Sequence, residues 1–498
     1  METAAEVIEC FRKKSVALWV ENGRLRYSGP KGMLSVDDIE RLQKSKAQII
    51  ARLSAESDAA RPEPRLLPRK QRNAAPATFS QLAHWNLYEL EERRAIRTVS
   101  FAVRLVGVLD TGALRSSLAR LVNRHDALRT RIVIRTGVPT QEIAEAMNCE
   151  LEIVDAAGEE AIQRHIEQFI LQPVDVTKDP LFSARLLRLR DKTHVLVVVM
   201  EHMIADGYSL GIVSRDLFSM YEAIVSDGDA ALPQVELQFS DYACWQQSTQ
   251  LAWIQEQLPY WRSRLKDSGR VRFPQDVQAE GLPYLGRGSV TIHIDRELKS
   301  ALMEWCRAQR TTLVMALFAA YVATVLRWCM ADDAVFQYQT NGRFSSAIEN
   351  TVGYFASVLY LRLQLREGDR FADLVKRCTY EYCQANEHAD FSYLAAQLPR
   401  PDFMRNTVFN WIPESTPRRT GSLQYSPIRF VFPAPADFEL DREPFALFTD
   451  LGSEIVADIY FSRNRFSEHS MRRFGCNLVQ ILSTIVKQPD QCLQAIPL

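Results

Sequence analysis

The chain has 498 residues, of which 47% are hydrophobic and 24% are charged, and its formal net charge is −1 at pH 7. At roughly 100–200 residues per domain, this length predicts two to four structural units of an ordinary soluble protein. The near-neutral charge argues against a general nucleic-acid binder. Nine scattered cysteines without paired metal spacing favour a reduced protein with free thiols and no metal centre.

Neither a secretory signal nor a membrane span is expected. Residues 1–20 combine acidic side chains with an amphipathic pattern, unlike a signal peptide. The most apolar segment, residues 313–326, is too short to cross a bilayer comfortably and is predicted to be a core helix. The resulting expectation is a cytoplasmic protein of bacterial origin.

Residues 1–57 are predicted to form a small unit of helix, hairpin and helix. Asn22 and Gly23 separate two strand-like runs, which is a strong hairpin signal. Ser35 and Asp38 form the pattern of a capping box that opens the second helix. The unit is too small for a deep active site, so binding is its expected role.

The second strand of this hairpin is basic. It carries Arg24, Arg26 and Tyr27, and Lys31 follows shortly after. Such an edge can accept an acidic peptide by strand addition, and a merely solvated charged face is the alternative. Residues 18–27 and 30–32 resemble a TubC-type N-terminal docking domain of nonribosomal peptide synthetases and hybrid assembly lines. The resemblance implies that residues 1–57 capture the C-terminal tail of an upstream synthetase.

Residues 58–76 are rich in proline, alanine and arginine and are predicted to be an interdomain linker. From residue 77 onward, strand-like and helix-like segments alternate, which indicates a larger α/β (α+β) body. No internal repeat or low-complexity tract is visible in the sequence.

One loop of this body has the residues for chemistry. The apolar, mostly β-branched run at 195–199 predicts a buried strand, and apolar residues of segment 210–221 recur at helical spacing. His202, Asp206 and Gly207 fall between them, where functional groups tend to lie, and Gly207 permits a backbone conformation that other residues resist. A lone His at a strand end is more often structural, so the flanking segments must agree before His202 is taken as a base.

The segments that flank this loop support a chemical role for His202. Residues 80–85, 124–130, 201–207 and 239–245 resemble, in this order, successive motifs of the condensation domains of nonribosomal peptide synthetases. Residues 332–343 and 352–362 resemble later motifs, and residues 388–391 and 405–406 fit the last ones loosely. The resemblance runs from about residue 77 to the C-terminus.

This resemblance implies a fold of two lobes in a V, each similar to chloramphenicol acetyltransferase, with an active-site tunnel between them. The first lobe with its connecting helix would span residues 77–265 and the second lobe residues 266–498. Residues 246–265 have the pattern of the connecting helix.

The resemblance also implies roles for the loop residues. His202 would take the proton of an attacking amine or hold the amine by a hydrogen bond, since a neutral imidazole suits either role. Asp206 would be structural and pair with Arg362 across the lobes, although Arg362 could equally be a plain surface residue. Gly207 would let the backbone approach the substrate, and its N–H could contact the carbonyl or the developing oxyanion.

Glu201 departs from the family's motif, which usually has His at this position. Neighbours in a strand point to opposite faces, so Glu201 and His202 should not both face the tunnel. Because an unpaired buried charge is costly, we expect Glu201 to pair with a cation or with backbone donors while activity survives. A degenerate domain is the alternative, which the retained His202, Asp206 and Gly207 disfavour.

The sequence therefore predicts a free-standing condensation enzyme, an acyltransferase that moves a carrier-bound acyl or peptidyl thioester onto an amine. The substrates would arrive on phosphopantetheine arms of partner carrier proteins, and the acceptor would be either carrier-bound or a free amine. The chain itself is expected to bind no cofactor, nucleic acid or membrane. Transfer to an alcohol, giving an ester, and a non-catalytic recruiting role are the alternatives.

Overall fold

The computed structural model of the protein describes residues 7, 11, 17–21, 24–28, 36–59, 66–90, 98–147, 149–189, 192–268, 271–277, 285–388, 407–412, 419–420, 423–428 and 443–497. They fall into a small N-terminal unit and a larger body with two six-stranded sheets and one three-stranded sheet.

The main elements follow in chain order. They are β1 Ala17–Glu21, β2 Arg24–Ser28, α1 Val36–Ala59, β3 Ala74–Pro76, α2 Phe79–Leu90, β4 Thr98–Val106, α3 Thr111–Arg124, β5 Thr130–Arg135, β6 Val138–Ile143, β7 Leu151–Asp155, α4 Glu159–Ile170, β8 Phe182–Arg188, β9 Thr193–Glu201, α5 Gly207–Val225, α6 Phe239–Arg264, β10 Arg287–Ile294, α7 Arg296–Gln309, α8 Leu313–Trp328, β11 Asp333–Thr340, β12 Ser357–Gln364, α9 Phe371–Glu387, β13 Val408–Ile412, β14 Arg419–Thr420, β15 Leu423–Ile428, β16 Phe445–Asp450, β17 Ile455–Ser462 and α10 Glu468–Lys487.

The N-terminal unit contains the predicted hairpin. β1 and β2 pair antiparallel, with Trp19 opposite Arg26 and Leu18 opposite Tyr27, and α1 follows as one continuous helix. The helix begins directly after Ser35, which itself lies outside the described residues.

The predicted linker is wrong in its C-terminal part. β3 forms the edge of the three-stranded sheet, where it pairs with β6. The backbone N–H of Arg69 and the side chain of Arg72 both donate hydrogen bonds to Asp241. Proline content misled the prediction because proline is tolerated at a sheet edge, where its missing N–H is not needed.

The first six-stranded sheet has the order β14-β15-β4-β9-β8-β7. Its central strand β9 is buried from Val195 to Glu201, because helices cover both faces. Val198 packs in a core with α3 and α5, and Val197 packs with Ile162 and Ile166 of α4 on the other face. Burial on both faces explains why β9 is a nearly continuous apolar run rather than an alternating one.

The second six-stranded sheet has the order β10-β17-β16-β13-β11-β12. Its core includes α8, in which every residue from Met315 to Leu326 is buried, so the predicted core helix is confirmed. No single helix within the described ranges is both long and apolar enough to cross a membrane.

The two halves of the body are joined in both directions. α6 starts earlier than the helix predicted from residue 246. Its Phe239 packs in the hydrophobic core beside the first six-stranded sheet, and its Trp261 packs in the core beside the second. Conversely, β15 pairs with β4 of the first sheet. The predicted boundary between the lobes at residue 265 is therefore wrong for β14 and β15, which belong to the first sheet. By pairing with β4, β15 covers an edge whose backbone N–H and C=O groups would otherwise be unpaired.

Candidate active site

The candidate loop lies where β9 ends and α5 begins. Glu201 is the last residue of the strand, and residues 202–204 make the turn. Asp206 is the N-cap of α5, and its Oδ1 accepts hydrogen bonds from the Ser209 N–H at 2.9 Å and the Ser209 hydroxyl at 2.8 Å. A side-chain oxygen at this position satisfies a helix N–H that has no partner within the helix.

Asp206 also binds across the sequence to Arg343, in the loop that follows β11. Nη1 of Arg343 donates to Oδ2 of Asp206 at 2.9 Å, and Nη2 donates to Oδ1 at 3.2 Å. The exposed fractions of the Arg343 and Asp206 side chains are only 2% and 1%. The guanidinium also lies 4.5 Å from the ring centres of both Tyr208 and Phe355. This buried bidentate pair holds the loop to the second half of the body.

The predicted pairing of Asp206 with Arg362 is wrong. Arg362 lies on β12, and its Nε donates to Asp333 of the neighbouring strand β11 at 2.9 Å. Its Nη1 donates to the carbonyl of Lys266. Arg362 and Asp333 are 24% and 31% exposed, so this pair lies at the surface.

The charge of Asp206 is stabilised despite complete burial. Burial alone would raise the pKa of this carboxyl, but the Arg343 charge and the hydrogen bonds from Arg343 and Ser209 outweigh it and hold the pKa below its ordinary value. Oδ2 also accepts from the backbone N–H groups of Phe355 at 3.0 Å and Ala356 at 3.1 Å.

Two glycines make this junction possible. Gly342 precedes Arg343 with φ +63°, and a Cβ there would clash with the carbonyl oxygen of Phe355. A Cβ on Gly353 would overlap the ring of Phe239 on α6. With no side chain there, the Gly353 N–H reaches Oγ of Ser209 and donates to it at 3.2 Å.

His202 lies at the other end of the loop among aromatic rings. Its ring centre is 4.5 Å from that of Tyr354 and 5.8 Å from that of His84. Its Nδ1 is buried without a hydrogen-bonding partner in the described part of the chain. Burial and the neighbouring His84 lower the pKa of His202, against the opposing influence of Glu201 and Asp206. The imidazole is therefore neutral near pH 7 and able to accept a proton.

Glu201 is buried and partnered. One carboxylate oxygen accepts a hydrogen bond from the Met203 N–H, and Oε1 lies 3.4 Å from Nε2 of His84. The carboxylate thus has both a backbone donor and an imidazole beside it. His202 lies beyond the end of β9, so the expected strand alternation does not place it on the opposite face from Glu201. The His84 ring lies beside both residues, 3.4 Å from Oε1 of Glu201 and 5.8 Å between ring centres from His202.

The opening motif supports the same loop. Thr78 and Gln81 form a reciprocal capping box at the start of α2, with the Thr78 N–H donating to Oε1 of Gln81 at 2.8 Å. Nε2 of Gln81 donates to the Met203 carbonyl at 2.7 Å. Ser80 donates to the Ala356 carbonyl at 3.3 Å, so α2 contacts both halves of the body.

The motif at residues 124–130 is structural. His125 and Arg124 both bind Asp216 of α5, at 3.0 Å and 2.9 Å. Burial lowers the pKa of His125, although Asp216 partly opposes this. These contacts fix α5 against α3 and leave His125 with no access to solvent.

Comparison with known protein families shows to which family this arrangement of residues belongs. Residues 71–498 match the family model of the condensation domain, and residues 5–54 match that of the TubC N-terminal docking domain. The chain belongs to the condensation domain family. The predicted mixed α/β fold with a preceding docking unit is therefore confirmed.

The condensation domain is similar to parts of much longer synthetases. It is 28% identical over 464 residues to a linear gramicidin synthase of Brevibacillus parabrevis, which covers 88% of this chain and 9% of the synthase. It is 30% identical over 330 residues to a beauvericin nonribosomal cyclodepsipeptide synthetase of Beauveria bassiana, which covers 65% of this chain and 10% of the synthetase. The chain spans about a tenth of the length of these relatives.

A solved structure of matching length is also similar. SgcC5 from Streptomyces globisporus superposes with a TM-score of 0.69 at 25% identity, over 84% of this chain and 100% of SgcC5. That structure is a complex with (R)-(-)-1-(2-naphthyl)-1,2-ethanediol and sucrose.

Gly207 of the condensation domain differs from its prediction. It does not have a positive φ, and a Cβ added to it would meet nothing within 4 Å. The expectation that its backbone conformation excludes other residues is therefore wrong. Gly207 is exposed at the first turn of α5, where a missing side chain leaves open space.

The predicted docking residues are placed only as backbone. Arg24, Arg26 and Tyr27 lie on β2, and Lys31 lies outside the described residues.

In the described ranges, no group of three or more His, Cys, Asp or Glu side chains is placed to hold a metal ion.

Two residues of the site were missed by sequence reasoning. Arg343 stood within a recognised motif, but its Asp206 partner is 137 positions away in sequence. His84 stood in the opening motif beside Trp85, and a single sequence gives no sign that it meets Glu201. The only signal in the sequence was the expectation that a buried Glu201 needs a partner.

Proposed function

We propose that this condensation domain transfers an acyl or peptidyl group from a carrier-bound thioester to an amine and so forms an amide. The observation that supports this most is the position of the His202 imidazole, whose buried Nδ1 has no partner among the described residues and whose lowered pKa favours the neutral form. It lies on a loop fixed at its other end by Asp206 and Arg343. A base is useful only when it is held in position, and orientation contributes as much to rate as proton transfer does.

The proposed reaction needs one proton carrier. The amine nitrogen attacks the thioester carbonyl, the C–N bond forms, and the C–S bond breaks as the thiolate leaves. His202 accepts the proton that the amine loses and returns it to the thiolate sulfur, so the imidazole is neutral again at the end. The backbone N–H of Gly207, at the exposed N-terminus of α5, is suited to stabilise the developing oxyanion.

Asp206 and Arg343 take no part in proton transfer in this proposal. Asp206 has a pKa below its ordinary value and is fully buried, so it is a poor proton acceptor. Its role is to fix the loop that presents His202.

The substrates are proposed to come from partner proteins. The donor acyl group, and a carrier-bound acceptor where there is one, would enter on phosphopantetheine arms of carrier proteins. The match of residues 5–54 to a docking domain supports capture of an upstream synthetase tail by β2, with Arg24, Arg26, Tyr27 and Lys31 as contacts. Cys306, Cys378 and Cys476 are free thiols, which fits a proposed location in the reducing cytoplasm.

Ester formation is the second candidate. SgcC5 was solved with a diol, and the Beauveria bassiana relative is named a cyclodepsipeptide synthetase. An alcohol can replace the amine in the same steps, because His202 would take the hydroxyl proton in the same way.

Product formation tests both candidates. The full chain would be mixed with an acyl-loaded carrier protein and with matched amine and alcohol acceptors, such as an aminoacyl and a hydroxyacyl thioester of the same carbon skeleton. We expect the amide to accumulate faster in mass spectrometry. Faster ester formation would favour the second candidate, and no turnover with either acceptor series would favour a recruiting role.

A further inference from the structure

His84 is a buried titratable residue that the proposed reaction does not use. It lies on α2, is 5% exposed, and its Nε2 makes no hydrogen bond in the described part of the chain. Oε1 of Glu201 lies 3.4 Å from this nitrogen, close enough to touch the ring but without the geometry of a hydrogen bond. A buried, incompletely satisfied imidazole beside a buried carboxylate calls for an explanation.

The surroundings of His84 connect it to His202. The ring centres of His84 and His202 are 5.8 Å apart, and Tyr354 lies 5.9 Å from the first and 4.5 Å from the second. Tyr354 meets the His84 ring edge-on, with an interplanar angle of 87°. Three rings from α2, from the loop after β9 and from the loop before β12 thus pack together.

We propose that Glu201 and His84 are a positioning pair for His202: the Glu201 carboxylate holds the His84 ring, which with Tyr354 fixes the orientation and protonation state of the His202 ring. The proposal rests on the proposed function, because it assigns His202 the reacting role. The pair would make Glu201 compatible with the activity proposed above, since the imidazole absent from position 201 is supplied by α2.

The charged and titratable groups that face His202 in the described part of the chain are few. α2 contributes His84, the end of β9 contributes Glu201, and the start of α5 contributes Asp206 with its partner Arg343. The loop before β12 contributes Tyr354. Among these groups His84 is the one that lowers the pKa of His202, while Glu201 and Asp206 raise it.

Two effects follow for variants of His84. Loss of the ring leaves His202 with one packing neighbour fewer, so its orientation becomes less defined. Loss of the second imidazole also removes an influence that, after burial, lowers the pKa of His202. His84→Gln should therefore lower kcat and raise the pKa of His202, which moves the acidic limb of the pH–rate profile to higher pH.

The test combines kinetics with an assay that needs no turnover. Single-turnover amide formation would be measured against pH for the full chain and for His84→Gln, Glu201→Gln and the double variant. In parallel, NMR with labelled histidine would follow the titration of His202. We expect kcat to fall by about 10–100-fold in His84→Gln, the loss typical of partners that orient a functional histidine at metal sites. At a pH where His202 is neutral in every variant, the double variant should be no slower than His84→Gln, because Glu201 positions the His202 ring through His84.

The matched control is His194→Gln. His194 lies at the opposite end of the same strand β9 and is also partly buried, on the order of 25 Å from His202 at the usual rise per strand residue. It should change neither kcat nor the His202 titration.

Each outcome separates this proposal from the proposed function. An unchanged His202 titration and an unchanged kcat in His84→Gln would overturn the positioning pair, even if wild-type protein forms amide. If His84→Gln does not fold, Glu201→Gln decides: it retains an acceptor for the Met203 N–H, so a wild-type kcat would overturn the proposal. If wild-type protein forms no product, the proposed function fails, and the titrations still test the coupling.

Discussion

The two ends of loop 202–206 differ in how their polar groups are satisfied. At Asp206, the carboxylate accepts hydrogen bonds from Arg343, Ser209 and two backbone N–H groups. At His202, the buried Nδ1 has no partner within the described residues, and the same is true of Nε2 of the adjacent His84. The hydrogen-bonded end fixes the loop, and at the unsatisfied end the described residues leave Nδ1 of His202 without a partner.

Within the five residues of loop 202–206, Asp206 thus has a structural role and His202 a chemical one. The Asp206–Arg343 pair is buried and joined by two hydrogen bonds, so it is costly to break and holds this end of the loop in place. Buried polar atoms without partners are uncommon, and each calls for an explanation, of which a role in a reaction is one. The predictions below test each end in turn.

Loss of the Arg343 guanidinium should have the largest effect on folding. Arg343→Met leaves the Asp206 charge buried without its cation, which costs about 3–5 kcal/mol in the free energy of unfolding. The pKa of Asp206 lies below its ordinary value in the folded protein, so its contribution is complete above the unfolded pKa and is lost as pH falls through the folded one. Urea unfolding at pH 7 and at about pH 3 should show the wild-type advantage shrinking in acid. A deficit that is equal at both pH values would contradict this assignment.

Crowding at Gly353 should have the next largest effect. In Gly353→Ala the new methyl group overlaps Phe239, and overpacking of this kind costs about 1–3 kcal/mol. Thermal unfolding measured by circular dichroism would detect it. A Tm equal to that of wild type would mean that α6 and the loop before β12 are not in contact as described.

Loss of the Arg362 guanidinium should have a small effect. The exposed Arg362–Asp333 pair is worth about 0–1 kcal/mol, so Arg362→Met is the matched control for Arg343→Met. Product formation should also be retained. Equal damage from the two substitutions would restore the pairing that the family resemblance implied.

A methyl group at Gly207 should have the smallest effect on stability. The position has open space and no positive φ, so Gly207→Ala should change the free energy of unfolding by at most about 0.5 kcal/mol. Under the proposed function, the same substitution lowers kcat/KM because the Cβ obstructs approach to the backbone N–H. An unchanged kcat/KM would remove Gly207 from the site.

The elements around the site followed from sequence patterns. The apolar run at 195–199 and the helical spacing after Leu210 gave β9 and α5, and His202 was correctly placed between them. These patterns are local, since burial on both faces of a strand or on one face of a helix leaves a periodic trace in neighbouring residues.

The contacts that complete the site did not follow from sequence. Asp206 could be matched to an arginine, but Arg343 and Arg362 are equally charged, and only the fold places one of them at the loop. The same holds for β15, which returns from the second half to pair with β4, and for His84 beside Glu201. Such pairings depend on the positions of distant segments, which no local pattern records.

The proposed function depends above all on His202 as the base at the unsatisfied end of the loop. Single-turnover product formation from an acyl-loaded carrier protein and an amine tests this role, with wild type and His202→Ala compared at pH 7. We expect the variant to be slower by roughly 10²–10⁴-fold, with the Tm unchanged. Retention of the full wild-type rate by His202→Ala would contradict the role.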